Sequence, residues 1–101
     1  MNEYERVLAS PAWRVRTYIL KALAERLCEV CGSDGALEAH HLSYDNLGNE
    51  EPQDLVVLCD ACHAGAHDGV IPPDVLREIA NRHPVSFRAI LEAERFEGTY
   101  L

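Results

Sequence analysis

Residues 28–67 read CEVCGSDGALEAHHLSYDNLGNEEPQDLVVLCDACHAGAH. Two C-x2-C knuckles, Cys28/Cys31 and Cys59/Cys62, stand 27 residues apart and enclose the histidine pair His40-His41. The second knuckle runs directly into His63 and then His67. Each knuckle's short turn points two thiolates at one ion, and four sulfurs at ~2.3 Å complete a tetrahedron. The spacing therefore predicts one structural Zn2+ held by Cys28, Cys31, Cys59 and Cys62, a closed site that can add an apparent ~10–16 kcal/mol to folding. The competing reading of the same cysteines is two disulfides or a redox pair.

Working outward, the whole chain has 101 residues, the size of one small domain. Such a domain buries only roughly two-thirds of its unfolded surface, so a staple is expected. All four cysteines fall in the knuckles. The opening stretch MNEYERVLAS is charged and contains no apolar signal region. Reduced, metal-bound thiols in the cytoplasm are thus expected. No apolar run approaches the ~20 residues that span a bilayer, so no membrane partner is expected.

Net charge is −8. Between Gly32 and Asp74 there is no Lys or Arg, against nine acids. The first 31 residues carry five basic side chains, Arg6, Arg14, Arg16, Lys21 and Arg26, against four acids. Charge that could face a phosphate must come mainly from this N-terminal segment or from the tail.

Ser10-Pro11 reads as a helix start, with Ser at the N-cap and Pro at the first helical position. The apolar residues Val15, Tyr18, Ile19, Ala22, Leu23 and Leu27 predict one stripe on a helix running to about Leu27. Arg14 and Lys21 share one flank of it and Arg16 lies on the other. They form either a solvated polar face or a DNA-facing surface. A strand is predicted over 36–42, ending in the histidine pair, and a second over 55–58. Between them lies a loop from Ser43 to Gln53. Asp60 is read as the cap of a helix over 61–66, stopped by Asp68-Gly69. Beyond Pro72-Pro73, Val75, Leu76 and Ile79 mark one short helix, broken by His83-Pro84. Phe87, Ile90 and Leu91 mark another, to about Phe96. These tail helices are expected to pack on the core or form an oligomer contact, and His83 is read as structural.

An ion closed by four cysteines has no open position, so the histidines need a separate account. His63 and His67 are four apart on a helix, which lets two imidazoles grip one ion. His40 and His41 sit at a strand end, where adjacent side chains point to opposite sides. One can join a metal while the other stays free. That division suits phosphodiester hydrolysis, in which a held cation stabilises charge and a separate histidine takes a proton from water. The plainer alternative is a second structural zinc or surface histidines.

At these residues the sequence resembles the HNH endonucleases, a branch of the ββα-metal nucleases, and in particular small zinc-ribbon HNH proteins of phages. The matching text is CEVCG followed by EAHHLSYDNLGNEEPQDLVVLCDACHAGAH, and SPAWRVRTYILKALAERLCEVCG is similar to the family's lead-in. The resemblance implies that His40 is a metal ligand, His41 the general base, and His63 and His67 further ligands of a catalytic divalent metal such as Mg2+, Mn2+, Ni2+ or Zn2+. Asp54 stands where the family name expects asparagine, the residue that braces the catalytic loop. A carboxylate accepts hydrogen bonds but cannot donate them. Gly48-Asn49-Glu50 also matches the phage subgroup, with no role assigned to Glu50.

The expected fold is α+β: a treble-clef-like ββα-metal module over 28–69 on the four-cysteine zinc, a helical lead-in over 1–27 and a helical tail over 70–101. The resemblance implies DNA cleavage or nicking that yields 5′-phosphate and 3′-hydroxyl ends, with catalytic residues His40, His41, Asp54 and His63. Arg14, Arg16 and Lys21 are the candidate DNA contacts. Partners implied are DNA, and either a homodimer or phage packaging proteins. Two alternatives stand beside this: a non-catalytic zinc-ribbon adaptor, and a nuclease subunit active only within a packaging assembly.

Overall fold

A computed structural model describes residues 1–95. In chain order they form α1 (Glu3–Leu8), α2 (Pro11–Leu23), β1 (Leu37–His41), a 3-10 turn (Pro52–Asp54), β2 (Leu55–Cys59), α3 (Asp60–His67), α4 (Pro73–Ala80) and α5 (Phe87–Arg95). The class is α+β, with five α-helices and one two-stranded sheet among the described residues. Phe96, the expected end of the last helix, lies outside them. No helix among the described residues is long and apolar enough to cross a membrane.

The strand β2 is the segment on which the rest packs, because all five of its residues are buried. Side chains alternate along a strand, so its apolar run serves two cores at once. Val56 and Leu58 pack with Cys28 and with Leu76, Ile79 and Ala80 of α4. Leu55 and Val57 pack with Trp13, Ile19 and Leu20 of α2 and with Phe87 of α5. Both tail helices therefore join the core of the chain. β1 pairs antiparallel with β2, placing His40 opposite Val56 and His41 opposite Leu55. The two histidines are thereby aimed at the two different layers.

Helix α2 begins as its sequence dictates: the Ser10 hydroxyl accepts from the Trp13 amide at 3.1 Å, and Pro11 opens the first turn. It ends at Leu23, four residues before the expected Leu27. The Glu25 amide donates to the Ala22 carbonyl and the Arg26 amide to that of Lys21, a Schellman closure with Glu25 left-handed at φ 59°. Helix α3 closes in the same way, through Gly69 at φ +77° and a Val70 amide bond to the Gly65 carbonyl. Only the second ending is marked by a glycine. At the other end of α3 the N-cap residue is Cys59, not Asp60, which occupies the first turn and there favours the helix dipole.

Two further departures affect the site. Within the helical lead-in no separate helix was expected before Ser10, yet α1 stands there; it opens on a capping box between Asn2 and Glu5 and lays Val7 and Leu8 against the α2 core. The buried face of α2 is Trp13, Ile19 and Leu20, whereas Tyr18, Ala22 and Leu27 of the expected stripe are exposed. The apolar periodicity was shared by two faces, and the layer formed with β2 selected the one bearing Trp13.

Candidate metal centres and a buried histidine–carboxylate pair

The thiols of Cys28, Cys31, Cys59 and Cys62 are free, and their sulfurs all lie within 4.8 Å of one another. The Cys31 and Cys59 sulfurs are 3.6 Å apart. A disulfide would hold them near ~2.0 Å, whereas a tetrahedron with ~2.3 Å bonds to zinc has an edge of about 3.8 Å. Local hydrogen bonds set this spacing. The Gly32 amide donates to the Cys28 carbonyl at 2.9 Å and the Cys28 amide to the Ser33 carbonyl at 2.8 Å, which folds the first knuckle into a tight turn. Glu29 then locks that turn to β2: its amide donates to the Val57 carbonyl at 2.9 Å and its carboxylate accepts from the Val57 amide at 3.0 Å.

The contrast between the Cys28 and Cys62 thiols fits a cation. Burial pushes the Cys28 thiol up, but amide groups of Cys31, Cys59 and Val30 outweigh it and bring it down to about 6. Burial first, and then hydrogen bonds with the other three cysteines, push Cys62 up to about 12. One sulfur is thus a ready thiolate while a neighbour resists ionising beside it. A divalent cation removes that conflict, so the four cysteines form a group able to hold a metal such as zinc.

The ring nitrogens of His40, His63 and His67 also lie within 4.8 Å of one another. The Nε2 atoms of His63 and His67 are 3.1 Å apart, and the His40 ring meets both edge-on at centroid distances of 5.1 and 4.9 Å. A tetrahedral cation with ~2.0–2.1 Å bonds to nitrogen sets its ligands about 3.3 Å apart. Glu38 Oε2 lies 3.3 Å from His63 Nδ1, so a proton placed on that nitrogen would face the carboxylate and leave Nε2 to offer its lone pair to the cluster. Burial first, and then the neighbouring histidines, hold His40 down at about 4, so at neutral pH it is an unprotonated donor. Three nitrogen donors fit a divalent ion and leave room for a further ligand.

His41 points the other way. It is buried, and its Nε2 lies 2.8 Å from Glu50 Oε2. Trp13 stacks on its ring at 4.9 Å and 7°, and Tyr44 at 5.1 Å and 28°. The Glu50 side chain is fully buried, and Arg16 Nη1 stands 3.8 Å from its second oxygen. With Nε2–H given to the carboxylate, Nδ1 is the nitrogen of His41 with a free lone pair. Asp54 fixes the loop that carries this carboxylate. Its Oδ2 accepts from the Glu51 amide at 2.9 Å and from Asn46 Nδ2 at 3.1 Å, while its carbonyl accepts from the Leu42 amide at 2.9 Å.

His40, His41, His63 and His67 line one cavity of about 230 Å³ together with Tyr4, Trp13, Lys21 and Tyr44. Of the three basic residues read as candidate DNA contacts, Lys21 faces this cavity, Arg14, expected on the same flank, is exposed to solvent, and Arg16, expected on the other, is turned inward to Glu50. His83 lies apart, with Nε2 bound to Glu29 Oε2 at 2.8 Å, and its carbonyl accepts from Gln53. It ties the tail to the first knuckle. Trp13 is a site residue that the sequence did not mark, and Glu50 one to which it assigned no role. A carboxylate in a loop rich in Asn, Gly and Glu reads as solvated, and nothing local says that it folds under the strand.

Comparisons of the chain with protein-family models, with curated proteins and with solved structures find no match.

Proposed function

We propose that this protein is a metal-dependent endonuclease of the HNH type, hydrolysing DNA phosphodiester bonds on a treble-clef-like ββα unit beside a structural zinc. The observation that carries this reading is the divergence of two adjacent histidines. His40 enters a three-imidazole cluster, His41 enters a buried pair with Glu50, and both line one cavity. A core histidine needs no second face, and a structural metal site needs no oriented imidazole beside it.

In this reading the chain's own residues divide the work. His41 takes the proton of the attacking water at Nδ1, and the charge that develops on its ring is matched by the Glu50 carboxylate at Nε2. Trp13 and Tyr44 hold the ring plane, and Asp54 fixes the loop behind Glu50. Lys21 places a positive charge where the phosphate enters. His40, His63 and His67 are the residues that would hold a divalent cation, which when bound supplies charge stabilisation for the phosphate and the leaving oxygen. One such site per chain cuts one strand, so nicked circles precede linear DNA.

The acidic stretch from Gly32 to Asp74 favours a second reading, a non-catalytic zinc-ribbon adaptor that binds a partner through the same fold. Supercoiled plasmid separates the two. Zinc-loaded protein with Mg2+, Mn2+ or Ni2+ is expected to nick it, and His41→Ala is expected not to. Folded protein that nicks with none of the three cations sinks the autonomous nuclease; restoration of cutting by added packaging proteins would assign the chain to an assembly instead.

A further inference from the structure

Within the nuclease reading, on which this inference rests, we propose that Tyr4 and Tyr44 form a stacking platform for an unpaired base, so that the substrate is DNA that is single-stranded beside the cut. Both rings stand at the cavity that holds the histidines. They meet edge to face at 5.6 Å, with Tyr44 54% and Tyr4 39% exposed. Together with Leu47 they also border a second, shallow depression outside that cavity. Tyr44 uses part of its ring to stack on His41 and leaves more than half of its surface to solvent. Two large aromatic rings left open beside a reactive histidine are a surface for another flat ring.

Charge narrows the choice of that ring's owner. Duplex DNA is held chiefly through neutralised phosphates, and affinity rises with their number. Here the net charge is −8, there is no Lys or Arg from Gly32 to Asp74, and Lys21 is the basic residue on the cavity wall. A strand met by few phosphate contacts must gain affinity from its bases. In a duplex each base has both faces covered by its neighbours, so only an unpaired or extruded base can lie on a tyrosine. Stacking of this kind tolerates any base, since each has a π-face.

Fluorescence anisotropy with the full chain, zinc-loaded and without added second cation, tests this on a short labelled single strand and on its duplex. The single strand is expected to bind more tightly. Tyr44→Ala should lose roughly tenfold or more of that affinity, whereas Tyr44→Phe, which keeps the ring, should stay within about twofold. Equal binding of duplex and single strand, or unchanged affinity in Tyr44→Ala, overturns the proposal. Plasmid nicking is read separately: a parent that nicks but prefers duplex overturns the platform alone, and a parent that needs Tyr44 for the single strand but never nicks supports the platform and overturns the nuclease.

Discussion

The four sulfurs and the three imidazoles each draw two members from the β2–α3 segment, yet one cluster is anchored in the core through the buried Cys28 and Cys59 and the other lines an open cavity. Cys59 belongs to the apolar layer with Val56, Leu58 and Leu76, while His63 and His67 face the cavity with Lys21 and Tyr44. Cys62 and His63 are sequence neighbours, and the 100° step between successive helix residues sends them to different groups. The donor count then separates their uses. Four thiolates close a coordination sphere, and the bound ion can only hold the chain together; three imidazoles leave a position open and admit chemistry.

Breaking the closed site should have the largest effect. Cys59→Ser is expected to remove about 10 kcal/mol or more of metal-linked stability, which is as large as the whole stability of a typical domain. The variant should lack a cooperative melt, and elemental analysis of the parent should give one tightly held zinc per chain. Folded, zinc-free parent protein would remove the contrast between the two clusters.

Within the open site, His41→Ala is expected to lower cleavage by roughly 100- to 10,000-fold while calorimetry finds its affinity for the second cation nearly unchanged. His63→Ala should weaken that affinity itself. Equal loss of cation binding in both variants would erase the distinction between ligand and base. Glu50→Gln keeps the shape of the pair but not its charge, and should slow single-turnover cleavage by roughly ten- to a hundredfold with DNA affinity unaltered. A normal rate in this variant would reduce Glu50 to a packing role.

A smaller effect separates the basic residues. Lys21→Ala should flatten the salt dependence of DNA binding by about one unit of slope, and the exposed Arg14→Ala should change it less. The reverse order would place the DNA on the outer face of α2. Smallest is a pH effect on the metal-free trio. The folded pKa of His40 is about 4 against 6.5 for the free side chain. As pH falls from 6.5 toward 4 the unfolded chain therefore takes up a proton that the fold refuses, and stability drops across that window. A melting temperature of the cation-free imidazole site that is flat over this range, once compared with His40→Gln, would show that His40 is not held neutral.

What could be read from the chain by itself was what short-range geometry imposes. The C-x2-C spacing, the i, i+4 step from His63 to His67, the alternation at His40-His41 and the Ser10-Pro11 helix start depend only on residues within a turn of one another. Each stands in the structure where the spacing put it. Tertiary structure decided what depends on distant partners. Glu50 becomes buried because the loop returns beneath β1, nine residues from His41. Trp13 becomes the inner face of α2 because β2 packs there, and Lys21 parts from Arg14 and Arg16 because that rotation turns it to the cavity. The end of α2 was hidden too, since a left-handed Glu25 carries no glycine to announce it. A side chain's type fixes what it can do chemically, but burial and the choice of partner are settled by surfaces that meet only when the chain has folded.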